Sequence, residues 1–221
     1  DNGNGNYSYI DSEAEGHKVL VEEMGATLVT VAKDVKIQVE FNPAVVAAHR
    51  LIGYENRVLQ HHEFNDDAKD AGEIGAGHSV TALYEIIPAA GASVAAAARR
   101  KVDPLRYQRE KVDAELTESA RRGELLHVKL RYKEPDGVES KLLAAPVFDR
   151  DLKYGQASED FKFAASVAAF GMILRKSGHR GNASLNAVLE LAGEGKGEDK
   201  SGRRGAFLQL VERAKAISQT R

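Results

Sequence analysis

The chain has 221 residues, with 31 Lys and Arg, 33 Asp and Glu, no Cys and a formal net charge of −2 at pH 7. That length fits one large domain or two to three small ones, and it is long enough to bury a core without disulfides. The missing Cys excludes disulfides, thiolate metal sites and a Cys nucleophile. The balanced charge argues against a dedicated nucleic-acid-binding protein, and no apolar run is long enough to predict a transmembrane helix or a signal-peptide core.

The first predicted elements are a short strand and a capped helix. The apolar residues of 7–10 predict the strand. Ser12 and Glu15 have the spacing of a capping box, in which a hydroxyl and a carboxylate satisfy free backbone N–H groups at the start of a helix. The helix is predicted to run to about Met24. Its apolar residues, which we expect to be partly buried, are Val19, Leu20, Val21 and Met24.

A run of antiparallel strands is predicted next. Val35, Ile37, Val39 and Phe41 alternate with polar residues, which predicts a half-buried strand with these four side chains on its buried face, preceded by a turn at Lys33-Asp34. Pro135-Asp136-Gly137 predicts the turn of a hairpin. The predicted strands cover 28–32, 35–41, 46–54, 78–87, 124–133 and 138–147, with 46–54 as the hairpin partner of the strand before it.

Residues 89–123 are predicted to form a long loop, with a short strand at 105–107 or a helix over 109–121 as alternatives inside it. Three amphipathic helices are predicted after residue 154. Ser158 and Ser184 have the character of N-caps for the first two, and 206–218 forms the third. The Gly-rich segment 193–205 is predicted to be a flexible connector. The apolar positions expected to be buried are Phe163, Val167, Phe170 and Leu174, then Leu185, Val188 and Leu189, then Phe207, Leu210, Val211 and Ala214.

This order of elements predicts an α+β fold, with an antiparallel sheet or sandwich followed by a small helical bundle. The opening strand and helix have no parallel neighbour in the chain. They therefore resemble the last β–α unit of a larger α/β domain. We expect three parts: a remnant over 1–26, a β-rich module over 27–154 and a helical cap over 155–221.

The sequence resembles the C-terminal region of bacterial proteins that carry a von Willebrand factor type A domain. Gly3 to Asp11, followed by the capped helix that ends Val-Glu-Glu-Met-Gly at residues 21–25, is similar to the end of such a domain. The rest resembles the uncharacterised module that follows it. The stretches that carry this likeness are AKDVKIQVEFNP at 32–43, RLIGYENR at 50–57, FNDD at 64–67 and DAGEIGAGHSVTALYE at 70–85, together with the helices around 163–174 and 207–214.

The resemblance has a mainly negative consequence for metal binding. Von Willebrand type A domains hold a metal through an Asp-x-Ser-x-Ser motif and through later Thr and Asp residues, all of which precede the final strand and helix. This chain contains no Asp-x-Ser-x-Ser. No metal ligand of that site is carried over, and we expect no cofactor and no tight binding of Mg²⁺ or Mn²⁺.

The densest group of acidic residues lies between residues 65 and 73. Hard cations need several oxygen ligands from a short loop, but the spacing here is not that of an EF-hand. A solvated turn is the simpler interpretation, with weak Ca²⁺ binding at Asp66, Asp67 and Asp70 as the alternative. The polar residues of the group are Asn65, Asp66, Asp67, Asp70 and Glu73.

Histidines provide the other candidate chemistry. His61 and His62, followed by Glu63, are adjacent, so their side chains diverge and cannot readily share one ion. His78 beside Ser79 is compatible with a hydrolase, but the side chains of neighbouring residues on a strand diverge, whereas those of a catalytic triad must meet. The short basic clusters at 99–101 and 121–122 lack aromatic residues between them, and we interpret them as solvated surface rather than a nucleic-acid site.

The sequence therefore predicts a non-catalytic binding or assembly module, with no catalytic residue and no cofactor site. The alternative is a metal-dependent or His-based hydrolase that uses His78 with the acidic residues of 65–73. The resemblance implies a protein or surface ligand bound by the parent protein, and a location at the cell envelope or periplasm. Because the strand at 7–10 has no designed partner, we also expect a possible homodimer that pairs through residues 1–25.

Overall fold

The computed structural model describes residues 9–22, 29–53, 61–67, 71–89 and 116–219. The elements fall into two compact units, one made of Asp1–Arg50, Asn56–Val80 and Ile86–Phe148, the other of Leu51–Glu55, Thr81–Glu85 and Asp149–Arg221. In chain order the strands are β1 (Thr30–Phe41), β2 (Val46–Ile52), β3 (Gly72–Gly75), β4 (Leu83–Pro88), β5 (Glu124–Lys133) and β6 (Ser140–Phe148). The helices are α1 (Glu13–His17), α2 (Glu118–Arg121), α3 (Glu159–Leu174), α4 (Leu185–Glu194) and α5 (Arg203–Gln219). Antiparallel sheets, with the three longest helices gathered in the C-terminal part, confirm the α+β class.

A four-stranded antiparallel sheet forms the body of the first unit, in the order β3-β1-β5-β6. β1 joins the two predicted strands 28–32 and 35–41 into one, so the predicted turn at Lys33-Asp34 is wrong. The structure has a β-bulge there instead. The pairing with β5 shifts register between Lys33 and Lys36, and Asp34 takes a positive φ of 51°. A short polar side chain tolerates that conformation, and the extra residue bends the strand without ending it.

The bulge is accompanied by a change in which residues of β1 are covered. Lys36 is only 3% exposed, whereas Ile37 is 49% exposed. The prediction that Ile37 lies on a buried face is therefore wrong. The alternation of the sequence identifies the strand correctly. The covered residue is Lys36, whose ammonium group donates to the backbone oxygen of Asp66.

The predicted hairpin of β5 and β6 is confirmed. Gly137 N–H donates to the Glu134 oxygen at 3.0 Å and closes the turn. The strand predicted over 46–54 is present as β2, but it pairs with β4 in a separate two-stranded sheet and not with the strand before it. Residues 78–82 are not strand, so the predicted strand 78–87 begins only at Leu83. β3, a short strand inside the acidic region, has no counterpart among the predictions.

The N-terminal region is less regular than predicted. The Ser12 hydroxyl accepts from the Glu15 N–H at 3.2 Å, and α1 continues into a π-helical turn, Lys18–Glu22. Tyr9 and Ile10 are exposed and outside any strand, and Leu20 and Val21 are exposed as well, so these positions do not follow the predictions. Residues 7–8 and Met24 lie outside the described residues, as do residues 90–115 of the predicted loop. At the end of that loop the structure has the short helix α2, capped by Thr117.

In the second unit, the helices α3, α4 and α5 pack around a small core. Ser158 and Ser184 cap α3 and α4, as predicted. Phe170, Val188 and Val211 are the buried centre, and the ring of Phe207 meets Phe170 edge-to-face at 5.6 Å. Among the predicted core positions, Val167, Leu174 and Leu210 are exposed, so the buried stripe is narrower than predicted.

The predicted connector between the last two helices is shorter than residues 193–205. α4 extends to Glu194 and α5 begins at Arg203. In between, the Asp199 carboxylate accepts from the backbone N–H groups of Arg204 and Gly205, at 3.0 and 2.7 Å, and so caps the start of α5. Three glycines of this segment have local roles in the structure. Gly195 approaches the α3 backbone, and Gly197 and Gly202 have positive φ angles.

Candidate functional site

Asp67, one of the residues predicted as weak Ca²⁺ ligands, lies against the basic strand β5. The Asp67 carboxylate accepts from Arg131 at 2.9 Å and from Ser140 at 2.5 Å. The hydrogen bond from Ser140, together with the nearby charges of Arg131 and Lys133, lowers the pKa of Asp67 despite some desolvation. Arg131 also donates to the Asn65 side chain at 3.4 Å. Asp67 is therefore committed to contacts within the protein, which leaves it poorly placed to bind a cation.

A second ion pair fixes the bulge of β1 to the same strand. Lys133 Nζ lies 2.7 Å from Asp34 Oδ2, and both side chains are mostly buried. Burial alone would raise the pKa of Asp34, but the Lys133 hydrogen bond and charge, the Ala71 N–H and the charge of Lys36 together lower it. These contacts hold residues 65–67 and 71 against β1 and β5. We call these contacts of Asp34 and Asp67 with β5 the clamp, and their role is structural rather than reactive.

Among the described residues, the other sequence candidates are not grouped as a metal site would require. His78 follows the turn after β3, where its N–H donates to the Gly75 oxygen at 3.0 Å, and both His78 and Ser79 are exposed. Glu73 accepts from the Thr30 hydroxyl at 3.5 Å. Asp70 and the side chains of His61 and His62 lie outside the described residues. Within the described ranges, no three His, Asp or Glu side chains are grouped to hold a metal ion.

A cleft of about 360 Å³ lies where the end of β1 meets α2 and β5. Asn42 fixes this corner, because its side-chain nitrogen donates to the backbone oxygens of Ala120 and Glu124 at 3.0 and 2.6 Å, and its oxygen accepts from the Ala44 N–H. His127 Nδ1 faces Glu124 at 4.0 Å on the same wall. The cleft combines apolar walls with a few polar groups, which suits ligand binding. Sequence reasoning missed it because its residues meet only through the pairing of β1 with β5.

The most unusual surface of the first unit is the strand β6 at the edge of its sheet. Four large apolar side chains of β6 are between 39% and 56% exposed, and they occupy both faces of the strand. The four residues are Leu142, Leu143, Val147 and Phe148. Antiparallel strands with one solvated face usually alternate apolar and polar residues, whereas an apolar run on both faces is typical of a strand covered on both sides. β6 therefore has the composition of an inner strand in the position of an outer one.

Pro146 shows which backbone groups of β6 point outward. It lies opposite His127 in the pairing with β5, and proline has no N–H to donate to a neighbouring strand. Its position must then be one where the backbone groups point away from β5. Because orientation alternates along a strand, the odd-numbered residues 141–147 bond to β5. The even-numbered residues 140–148 direct their N–H and C=O groups away from β5, to an edge where none of the described strands pairs.

Comparisons with known proteins identify the family. A family model described as the C-terminal part of the uncharacterized protein YfbK matches residues 26–217. The uncharacterized protein YfbK of Escherichia coli (strain K12) is 43% identical over 218 residues, which cover 99% of this chain and 36% of that protein. This chain thus spans about a third of the length of that relative. No solved structure matches, and none of the described helices is both long and apolar enough to span a bilayer. The chain belongs to the YfbK C-terminal family.

Proposed function

We propose that this chain is a non-catalytic binding and assembly module that accompanies a von Willebrand type A domain at the bacterial cell envelope. The observation that carries the proposal is β6. An edge strand with unpaired backbone groups is a template for pairing with another strand, and proteins normally protect such edges with charges, short length or cover. β6 is nine residues long and its one charged residue is Lys141.

Strand addition to such an edge is a common mode of protein recognition. The backbone hydrogen bonds supply affinity, and alternate side chains supply specificity. Pro146 limits pairing at one position only, so the rest of the edge stays available. The exposed apolar residues on both faces would gain cover from the side chains of an added strand, which adds hydrophobic stabilisation to the backbone bonds.

The contacts of the polar residues favour a binding role over the hydrolase alternative. Asp67 and Asp34 accept from Arg131 and Lys133, which draws them to β5 rather than toward His78. A catalytic base and its orienting acid need to lie within hydrogen-bond reach of each other. The cleft beside Asn42 offers a second surface for a small ligand or a side chain of a partner.

The proposal is tested by measuring what the edge binds. We suggest ultracentrifugation of the chain alone and mixed with the remainder of the E. coli relative, for wild type, Leu143→Lys and Val138→Lys. Val138 is exposed but precedes β6, so it is a matched control. We expect association of the wild type and of Val138→Lys, weakened at least about tenfold by Leu143→Lys. Absence of any association, or equal behaviour of the two variants, would refute the assembly role. Fractionation that places the full-length parent wholly in the cytosol would refute the envelope location.

A further inference from the structure

We infer that the strand added to β6 is β6 of a second copy of this chain, paired antiparallel about a two-fold axis at Ala144. This inference rests on the proposed assembly role and names its partner. A two-fold axis makes one patch meet its own copy, so the strand must be complementary to itself. The composition of β6 and the outward direction of its even-numbered residues together determine how that can occur.

The backbone favours one register above the others. Hydrogen-bonded pairs across the new interface must join outward-facing residues of both strands, which are the even-numbered ones. An axis at Ala144 pairs all nine residues of β6, including Ala144 with the partner's Ala144 and Ser140 with the partner's Phe148. Pro146 then lies opposite the partner's Leu142 and costs one N–H donor on each side of the axis. Moving the axis by one residue still pairs Pro146 and also shortens the overlap, so it gives fewer hydrogen bonds.

The charges of β6 also fit a second copy better than a charged partner. Lys141 is the one ionisable residue of the strand, and its ammonium group is already paired with Glu134. In the register centred on Ala144, Lys141 lies beside the partner's Val147. The two lysines are then about 20 Å apart, from the rise of a strand over six residues, so their repulsion is screened.

The side chains on both faces match in the same way. Ala144 lies on the two-fold axis and Ala145 lies next to it, so the centre of the interface is made of small residues. Leu143 lies opposite the partner's Ala145, and Leu142 opposite the partner's Pro146. Large residues thus meet small ones on each face, and no charged group is buried. A second β6 is therefore a neighbouring strand with apolar residues on both of its faces, as the composition of this edge requires.

Single cysteines test the register directly, because the chain contains no Cys. Hydrogen-bonded partners in antiparallel strands have Cα atoms about 5.5 Å apart, which a disulfide can bridge. We expect the full chain with Ala144→Cys to form a covalent dimer under mild oxidation, at least about tenfold faster than with Lys141→Cys. A faster reaction of Leu143→Cys or Ala145→Cys than of Ala144→Cys would overturn the register.

A non-covalent test uses proline. Ala144→Pro removes a second outward N–H from each strand, at the axis, and leaves the bonds to β5 intact. We expect a thermal melt like that of the wild type at a concentration low enough for it to be monomeric, and a dimer dissociation constant at least about tenfold higher in ultracentrifugation. Unfolding of this variant would show that Ala144 faces β5 and would overturn the inference. A wild type that is monomeric at all concentrations would overturn it as well. If that monomer still binds the remainder of the E. coli relative in a Leu143-dependent way, the assembly role stands and only the self-pairing fails.

Discussion

Among the glycines of the second unit, Gly195 is the one where an added β-carbon would come closest to another atom. It follows α4, and a β-carbon added there would lie 2.5 Å from the Phe163 backbone nitrogen and 2.7 Å from the Glu159 oxygen of α3. Both are backbone atoms that cannot rotate away. We expect Gly195→Ala to push α4 from α3 and to lower the free energy of unfolding by about 1–3 kcal/mol, the usual cost of overpacking. Urea denaturation followed by far-UV circular dichroism measures it.

Gly193 provides the matched control for that substitution. It lies two residues earlier, inside α4, with nothing within 4 Å of an added β-carbon. Alanine is the better helix former, so we expect Gly193→Ala to raise the free energy of unfolding by about 0.5–1 kcal/mol. If both variants changed stability in the same direction, the close approach at Gly195 would not be the cause.

Asn42 is a buried polar residue whose amide joins three backbone segments. Asn42→Ala removes its hydrogen bonds to Ala120, Glu124 and Ala44. Each bond contributes about 1 kcal/mol, and partners left buried without a bond cost more. We therefore expect a loss of about 2–3 kcal/mol in the free energy of unfolding, together with a change in the cleft beside α2. The exposed Asn182→Ala serves as the control, and a similar small loss for both variants would contradict the role of Asn42.

At the scale of elements, the sequence predicts the strands better than it predicts what covers them. The alternation of Val35 to Phe41 identifies β1, but a pattern of period two cannot say which face receives cover. Which face is covered depends on residues 65–67, where the Asp66 backbone oxygen accepts a hydrogen bond from the Lys36 ammonium group. The same holds in α3, where Phe163 and Phe170 contact Phe207 while Val167 of the same predicted stripe is exposed.

The clamp between the β1 bulge and β5 gives stability a dependence on pH. The folded-state pKa of Asp34 is lowered, so its contribution is present above the ordinary carboxyl range and is lost as pH falls through the folded value. The pKa of Lys133 is raised, first by its hydrogen bond to Asp34, so its contribution is lost only as pH rises through that raised value. We expect Asp34→Asn to melt below wild type at pH 7.

The difference between the two proteins should shrink from about pH 4 downward, because the wild type then loses the same ion pair. Thermal melts at several pH values between 2 and 7 measure this. Asp136→Asn, a change at an exposed carboxylate of the hairpin turn, controls for the loss of one negative charge. A difference between wild type and Asp34→Asn that stays constant down to pH 2 would show that the pair does not stabilise the fold.

At the scale of the whole molecule, local sequence signals are enough to predict the class of the fold, but they are not enough to predict its binding surfaces. Capping residues at Ser158 and Ser184 and the turn at 134–137 act over a few residues, so they can be recognised in the sequence. The cleft and the clamp depend on strand pairing between residues far apart in the chain. The free edge of β6 depends on the order of strands in the sheet. Short-range patterns carry no information about either.

Deleting residues 1–25 distinguishes a dimer that pairs through β6 from one that pairs through this N-terminal segment. The family match begins at residue 26, and Tyr9, Leu20 and Val21 are exposed, so this segment contributes little described apolar cover. We expect deletion of residues 1–25 to leave both the melting temperature and the sedimentation of the chain unchanged, because β6 is retained. A deletion variant that becomes monomeric would instead support the pairing through this segment that the sequence predicts. A variant that unfolds would show that the segment covers the core of the module.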